Sequence, residues 1–299
     1  MNLRTDLAIE SVYTHKGNGI IEKHNEISEG IKVTEIEITT EEASKEVGKP
    51  IGKYITIENE KPLSDTEETQ KLSEILSSEL KKLIPKNAQK FLICGLGNRN
   101  ITPDALGPLV TDKLMITTHI IDYLNSESTQ DFSSVSAISP GVMGITGIET
   151  ADIIKGVTDK FKPDAVIAVD ALCAINTKRM FSTVQLTDSG INPGAGIGNR
   201  RSGLNRKTLG VPVIAIGVPT VVDADSIIHD ALYSFFEKNS SIDDSSSIIN
   251  AILSENKSLI VSPKDIDKLI EKNSKIIANG INLSLHKNID FDFIENYIS

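Results

Sequence analysis

Short apolar runs alternate with amphipathic segments along most of this chain of 299 residues. Continuous apolar runs at 91–94 and 165–169 are typical of parallel strands that are buried on both faces. The elements predicted after residue 90 are strand 91–95, helix 105–120, strand 135–138, helix 148–160, strands 165–169, 182–186 and 211–216, helix 223–237, and a last helix from Ser262-Pro263 to Asn279-Gly280. This order predicts an α/β fold, with a mostly parallel sheet sandwiched by helices.

The first 60 residues have a different character. They are polar and mixed, with short β-branched strands predicted at 31–39 and 54–57. A helix is predicted to begin at Ser64 and to end at Pro85. We therefore expect one large domain, with an N-terminal arm or small sheet over 7–62 and an α/β core over 63–299. The polar run 240–247 is predicted to be a surface loop.

Composition excludes several classes of function. The net charge is −10, aromatic residues make up 4% of the chain and Trp is absent, so a surface that binds nucleic acid is not expected. No apolar stretch approaches the length of a membrane span, and the N-terminus lacks the apolar core of a secretory signal. Cys94 and Cys173 lie in or beside apolar strands and are predicted to be reduced core residues. We expect an intracellular protein that does not bind membranes.

Two aspartates follow the strongest strand predictions. Asp104 lies in the segment 95–108 just after the strand at 91–95, and Asp170 follows the strand at 165–169. Open α/β sheets build their sites at the carboxyl ends of their strands. Taken singly, Asp104 is more simply explained as a helix cap, and Asp170 as an acid bonded to a helix N-terminus. If the two carboxylates converge, their coupled protonation suits acid–base hydrolysis of a peptide bond.

The turn Gly95-Leu96-Gly97 suggests an alternative. Glycines after a strand can hold a pyrophosphate at a helix N-terminus, which would make this protein a non-catalytic nucleotide binder. However, Asn100 stands where the third glycine of that motif belongs, and Asp122 does not end a clear strand. Glycines used only for a tight strand-to-helix turn are the simpler interpretation.

Loops rich in glycine follow three other predicted strands, at 140–147, 188–199 and 217–220. Glycine lets a loop backbone approach an extended ligand closely, so these loops could bind a peptide, although ordinary turn chemistry explains any one of them. The candidate substrate-binding residues are Gly141, Gly144, Gly190, Gly194 and Gly196. A basic cluster follows the second loop and could bind acidic substrate residues: Arg200, Arg201, Arg206 and Lys207.

Metal and serine chemistry have weak support. The five histidines show no paired ligand spacing, and no Cys-x-x-Cys motif or Gly-x-Ser-x-Gly motif occurs. We therefore expect neither a metal nor a cofactor.

Several segments together resemble the germination protease family of spore-forming bacteria. The matching segments span nearly the whole chain: 4–8, 95–98, 102–108, 140–144, 146–150, 170–172, 188–190 and 217–224. The resemblance implies a core fold similar to that of the hydrogenase-maturation proteases. It also implies an endopeptidase that degrades small acid-soluble spore proteins during germination, with Asp104 and Asp170 as the catalytic aspartates. The region 240–260 looks shorter than in longer family members.

The resemblance implies processing and assembly as well. Family members are zymogens that trim their own N-terminus, and 5–11 resembles the cleavage site of the substrates. Self-cleavage is therefore expected between Asp6 and Leu7, with residues 1–6 as propeptide and 7–299 as peptidase domain. A homotetramer in the cytoplasm of the developing forespore and in the spore core is also implied. A metal-assisted endopeptidase of the hydrogenase-maturation type, with the two aspartates as ligands, remains an alternative.

Overall fold

A nine-stranded mixed sheet forms the centre of the computed structural model, which describes residues 4–12, 18–60, 66–124, 129–192, 202–238 and 259–298. The strand order is β1-β2-β3-β7-β8-β6-β4-β5, and β9 pairs with the far end of β8. The strands are β1 Ile20–Ser28, β2 Ile31–Ile38, β3 Gly52–Asn59, β4 Lys90–Gly95, β5 Ser134–Ile138, β6 Ala165–Ala174, β7 Thr183–Thr187, β8 Val213–Asp223 and β9 Ile260–Val261.

Among the described strands, parallel pairing is confined to β5, β4, β6 and β8. The strands β1 to β3 form an antiparallel meander that joins the same sheet through β7. The predicted N-terminal strands thus extend the main sheet. The predicted fold class, an α/β sheet between helices, is confirmed.

Helices cover both faces of this sheet, as the apolar runs require. The α-helices of the described residues are α1 Ala8–Val12, α2 Glu41–Val47, α3 Thr66–Leu83, α4 Leu106–Thr111, α5 Thr118–Ile121, α6 Met143–Thr146, α7 Thr150–Phe161, α8 Arg206–Leu209, α9 Ala224–Lys238, α10 Ile266–Leu285 and α11 Phe291–Ile298. On one face, α3, α4 and α10 bury the largest core cluster, which includes Phe91, Ile167 and Ile277. The other face is covered by α1 and α2 at one end and by α7 and α8 at the other.

Several predicted boundaries were wrong. The helix predicted over 105–120 is two short helices, α4 and α5, separated by a segment that buries Leu114 and Met115. The last helix begins at Ile266 rather than beside Pro263. It also continues through Asn279-Gly280, because Gly280 lies inside the crossing of α3 and α10, where a Cβ would come 2.2 Å from the Cδ2 of Leu76. That glycine serves close helix packing and does not end the helix.

Candidate active site

A cavity of about 1020 Å³ opens on the face of the sheet that α1 covers. Its walls include parts of β6, β7 and β8, the turn before α4, the segment from α2 to β3 and the N-terminal segment before α1. Asp104 and Asp170 both line it. The two segments that carry these aspartates are tied together, since the backbone N–H of Leu96 donates to the carbonyl of Val169 at 2.8 Å.

Asp170 lies inside β6, which runs on to Ala174 instead of ending at residue 169. The strand continues because β8 is equally long and pairs with it as far as Val222. The Asp170 side chain is buried, at 6% exposure, and its Oδ1 accepts a hydrogen bond from the N–H of Ala171 at 2.9 Å. Burying a carboxylate within a sheet costs desolvation free energy, and an apolar side chain could pack at the same position without that cost.

Asp104 ends the 3₁₀ turn Thr102–Asp104 that precedes α4. The N-cap position of α4 is Ala105, so Asp104 does not occupy it. Instead, its Oδ2 accepts from the N–H of Asn98 at 2.7 Å. The turn is fastened to β8, because the Thr220 hydroxyl donates to the carbonyl of Pro103 at 2.7 Å.

The glycines of the first glycine-rich turn serve this packing. Gly97 has a φ of +105°, and a Cβ there would lie 2.0 Å from the backbone oxygen of Asp104. Gly95 similarly meets Gly107, with 2.3 Å between its ideal Cβ and the Gly107 oxygen. Both glycines therefore allow the turn that carries Asp104 to lie directly against the end of β4.

The glycines that were predicted to bind substrate are placed differently. Gly190 lines the cavity. Gly141 and Gly144 lie in the turn after β5 and in α6, and they are not among the described residues that form its wall. Gly194 and Gly196 lie outside the described residues, as do Arg200 and Arg201 of the basic cluster and the predicted loop 240–247.

The N-terminal segment occupies one side of the same cavity. Arg4, Thr5 and Asp6 line the wall, while Leu7 and Ala8 are fully buried. Asp6 makes two bonds to one residue of β6: its N–H donates to the carbonyl of Cys173, and its Oδ2 accepts from the Cys173 N–H, both at 2.9 Å. The sequence predicted a cleavage site here, and the structure places its backbone beside Asp170's strand.

Charged groups around Asp6 set its electrostatics. Burial raises the pKa of the Asp6 carboxyl above its ordinary value, and the positive charge of Lys49 opposes part of that rise. Burial likewise lowers the pKa of the Lys49 ammonium, against the charges of Asp6 and Glu10. The Lys49 Nζ donates to the carbonyl of Thr5 at 2.9 Å. The Asp6 carboxylate therefore interacts with one cation, the Lys49 ammonium, and with one backbone N–H, that of Cys173.

Glu10 fixes the start of α1 to the body of the protein. Its carboxylate accepts from the N–H groups of Ile175 at 2.7 Å and Asn176 at 3.0 Å, and from the Arg179 guanidinium at 3.2 Å. The Thr5 hydroxyl donates to the same carboxylate at 2.5 Å. This buried acid holds the chain on both sides of Asp6 and Leu7.

Sequence reasoning missed Lys49, Glu10 and Gln185, although all three line the cavity. The available signal was the alternation in β7, where Thr183, Gln185 and Thr187 form a polar face. Such a face is normally exposed to solvent, but these residues are buried, and Gln185 is bonded to Asp6 and Ala8 around the start of α1. Lys49 and Glu10 carried no pattern that distinguishes them from surface charges.

Two other properties bear on the chemistry. Within the described part of the chain, His, Cys, Asp and Glu side chains do not gather in groups of three that could hold a metal ion. Both cysteines are free and buried, and burial raises the pKa of the Cys173 thiol to about 12. Helices long and apolar enough to cross a membrane are absent from the residues that the structure describes.

Comparison with known proteins identifies close sequence relatives. A family model described as germination protease matches residues 4–241 and 239–298. A germination protease from Clostridium tetani (strain Massachusetts / E88) is 42% identical over 100% of both chains. Another, from Caldanaerobacter subterraneus subsp. tengcongensis, is 44% identical over 95% of this chain and 94% of its own.

A solved structure was also found. The [NiFe] hydrogenase maturation protease HycI from Thermococcus kodakarensis KOD1 has a TM-score of 0.38 and 17% sequence identity, covering 69% of this chain and 98% of that chain.

Proposed function

Because this chain belongs to the germination protease family, and is therefore a protease, we propose that it is a spore-germination endopeptidase that uses Asp104 and Asp170 as its catalytic pair. The observation that carries this proposal is that the two aspartates, from separate elements, line one cavity together with the N-terminal segment that ends in Asp6. Its substrates in this proposal are small acid-soluble spore proteins.

The chemistry follows from two carboxyl groups in one cavity. One aspartate is held protonated beside the charge of the other. The ionised carboxylate takes a proton from a water that attacks the scissile carbonyl, and the protonated one gives a proton to the departing amine. The pair is expected to titrate jointly, and the proposal assigns neither role to a particular aspartate.

The same site serves maturation in this proposal. The chain is made as a zymogen that cuts its own Asp6–Leu7 bond, with residues 1–6 as the propeptide. Support comes from the position of Thr5 and Asp6 in the wall of the cavity that also holds Asp104 and Asp170. A segment already bound there needs little ordering before reaction, which favours cleavage within the chain.

Assembly and location rest on the resemblance of the sequence motifs alone. We propose a homotetramer that acts in the developing forespore and the spore core, on protein substrates and without binding nucleic acid or membranes. Light scattering of the purified chain tests the first part, and a monomer at micromolar concentration would contradict it.

The experiment that tests the proposed function uses Asp104→Asn and Asp170→Asn. The substrate is a peptide that carries an acidic residue at the cleaved position. Each variant and the processed wild type are incubated with this peptide, with and without a chelator. We expect both variants to lose cleavage by about 1000-fold or more, because each removes one member of the acid–base pair. The chelator is expected to have no effect on the wild type.

Circular dichroism spectra that match the wild type control for folding. Full activity in either variant would remove that residue from the mechanism. Loss of wild-type activity with chelator, restored by a divalent metal, would favour the metal-assisted alternative.

A further inference from the structure

Gln185 lies in the same row of the sheet as Asp170. It pairs with Gly217 of β8, and Gly217 pairs in turn with Asp170 of β6. Residues paired in this way point to the same face, and two strand spacings separate Asp170 and Gln185 by about 10 Å between Cα atoms. The residue between them is glycine, and the Leu172 side chain fills the space where a Cβ of Gly217 would lie, 2.5 Å from its Cγ. Asp170 and Gln185 both line the cavity.

Both ends of the Gln185 amide bind the backbone of the N-terminal segment. Its Oε1 accepts from the N–H of Ala8 at 2.6 Å, and its Nε2 donates to the carbonyl of Asp6 at 3.1 Å. The backbone N–H of Ala8 can only donate, so the oxygen of the amide must face it. This fixes the amide orientation and leaves the NH₂ group aimed at the Asp6 oxygen.

That oxygen belongs to the Asp6–Leu7 peptide bond. The residues around the bond are held at three further points, by Cys173 on both the N–H and the carboxylate of Asp6 and by Lys49 on the carbonyl of Thr5. Gln185 is itself buried, at 6% exposure, so its donor acts in a site with little water. A fixed donor in such a site stabilises developing charge more strongly than water does.

We propose that Gln185 is a catalytic residue for cleavage of the Asp6–Leu7 bond, donating a hydrogen bond to the oxygen on which negative charge develops. The proposal rests on the self-processing proposed above. When the water oxygen bonds to the Asp6 carbonyl carbon, the π electron pair moves to the carbonyl oxygen and the water proton goes to the ionised aspartate. The oxyanion then collapses, the C–N bond breaks, and the Leu7 nitrogen takes a proton from the protonated aspartate.

The alternative is that Gln185 only anchors the segment. Gln185→Glu separates the two roles, because a carboxylate keeps an acceptor for the Ala8 N–H but has no donor for the Asp6 oxygen. Protonation of the new carboxyl restores one O–H donor. The donor bond to the Asp6 oxygen is also one of the two contacts by which Gln185 anchors the segment, so docking of the segment has to be measured apart from the rate of release.

The experiment follows release of residues 1–6 by intact mass as a first-order rate in the full chain. Gln185→Glu is expected to slow release by about 100- to 1000-fold near neutral pH, the range found when one oxyanion donor is removed. The ratio of its rate to the wild-type rate is expected to rise as pH falls toward about 4, where a glutamate becomes protonated. Gln70→Glu, on α3 against the opposite face, is the matched control and should behave as wild type.

Docking of the segment is measured separately by hydrogen exchange of residues 6–8 in chains that also carry Asp104→Asn. Protected amides together with slow release support the proposal. Two results together would overturn it in favour of anchoring. In Gln185→Glu, the amides of residues 6–8 would exchange as fast as in an unfolded peptide, and release would be slowed by the same factor at every pH. Wild-type rates in Gln185→Glu would overturn it while leaving self-processing in place. A wild-type chain that never releases residues 1–6 would instead refute the self-processing itself.

Discussion

Burial determines how some single residues of this protein protonate. His286, near the end of α10, is 4% exposed and packs edge-on against Phe132, with 5.5 Å between ring centroids. Burial lowers the pKa of its imidazole to about 4. The neutral ring is therefore part of the core, and its titration is linked to folding.

This linkage has a definite sign. The folded-state pKa lies below the ordinary value of about 6.5, so the unfolded chain binds a proton that the folded chain does not. The stabilisation is fully present above about pH 6.5 and is lost as pH falls toward about 4, by at most about 3 kcal/mol. Urea unfolding at several pH values measures it.

His286→Phe is expected to reduce the acid-dependent loss of unfolding free energy, because the phenyl ring does not titrate. The control is His119→Gln in α5, which removes an exposed histidine and leaves the buried core unchanged. An unchanged slope in His286→Phe would show that the titration of His286 does not contribute.

Elements are joined by a few close contacts that demand small residues. The crossing of α3 and α10 packs Leu76 against Gly280, and both helices share the largest core cluster. By contrast, Gly156 in α7 has no atom within 4 Å of the position of an added Cβ. Two helical glycines therefore have different physical roles.

Substitution of glycine by alanine should change the free energy of unfolding in opposite directions at these two sites. Gly280→Ala is expected to lower the free energy of unfolding by about 1–2 kcal/mol, since overpacking outweighs the gain in helix propensity. Gly156→Ala should raise it by about 0.5–1 kcal/mol through propensity alone. Denaturant unfolding of both variants measures the difference, and equal signs would refute the assigned role of Gly280.

At the scale of the whole molecule, the N-terminal segment forms part of the cavity wall. The segment from Leu7 to Val12 forms one core cluster with residues of β2, β3 and β6, so it is built into the fold. Residues 4–6 instead line the cavity and are held mainly by polar contacts. The boundary between these two behaviours falls at the Asp6–Leu7 bond.

Two truncations test this division. Removal of residues 1–12 is expected to lower the thermal midpoint by at least about 5 °C, because burial of each large apolar side chain contributes about 1.5–3 kcal/mol. Removal of residues 1–6 should lower the thermal midpoint by less than half as much, since the buried apolar residues remain. Scanning calorimetry of both truncated chains measures the two thermal midpoints. Equal decreases would show that the boundary between the buried and the cavity-lining parts of the segment does not lie at the Asp6–Leu7 bond.

The sequence determined the parts of this protein that depend on local pattern. Apolar runs predicted the central parallel strands, and motifs near Asp104 and Asp170 indicated the family. The two aspartates line one cavity, and their catalytic role stays a prediction. The strand β1 escaped prediction because its residues are largely exposed and show no alternation of burial. The helix α2 is too short for a clear period.

Only the tertiary structure decided what covers each surface. The polar face of β7 has the sequence pattern of a solvent-exposed face, yet it is buried. Gln185 on that face binds Ala8 and Asp6, which lie 177 and 179 positions away along the chain. Periodicity reports which side chains share a face, because it depends on backbone geometry alone. It carries no information about which distant segment packs on that face, because that depends on the three-dimensional path of the whole chain.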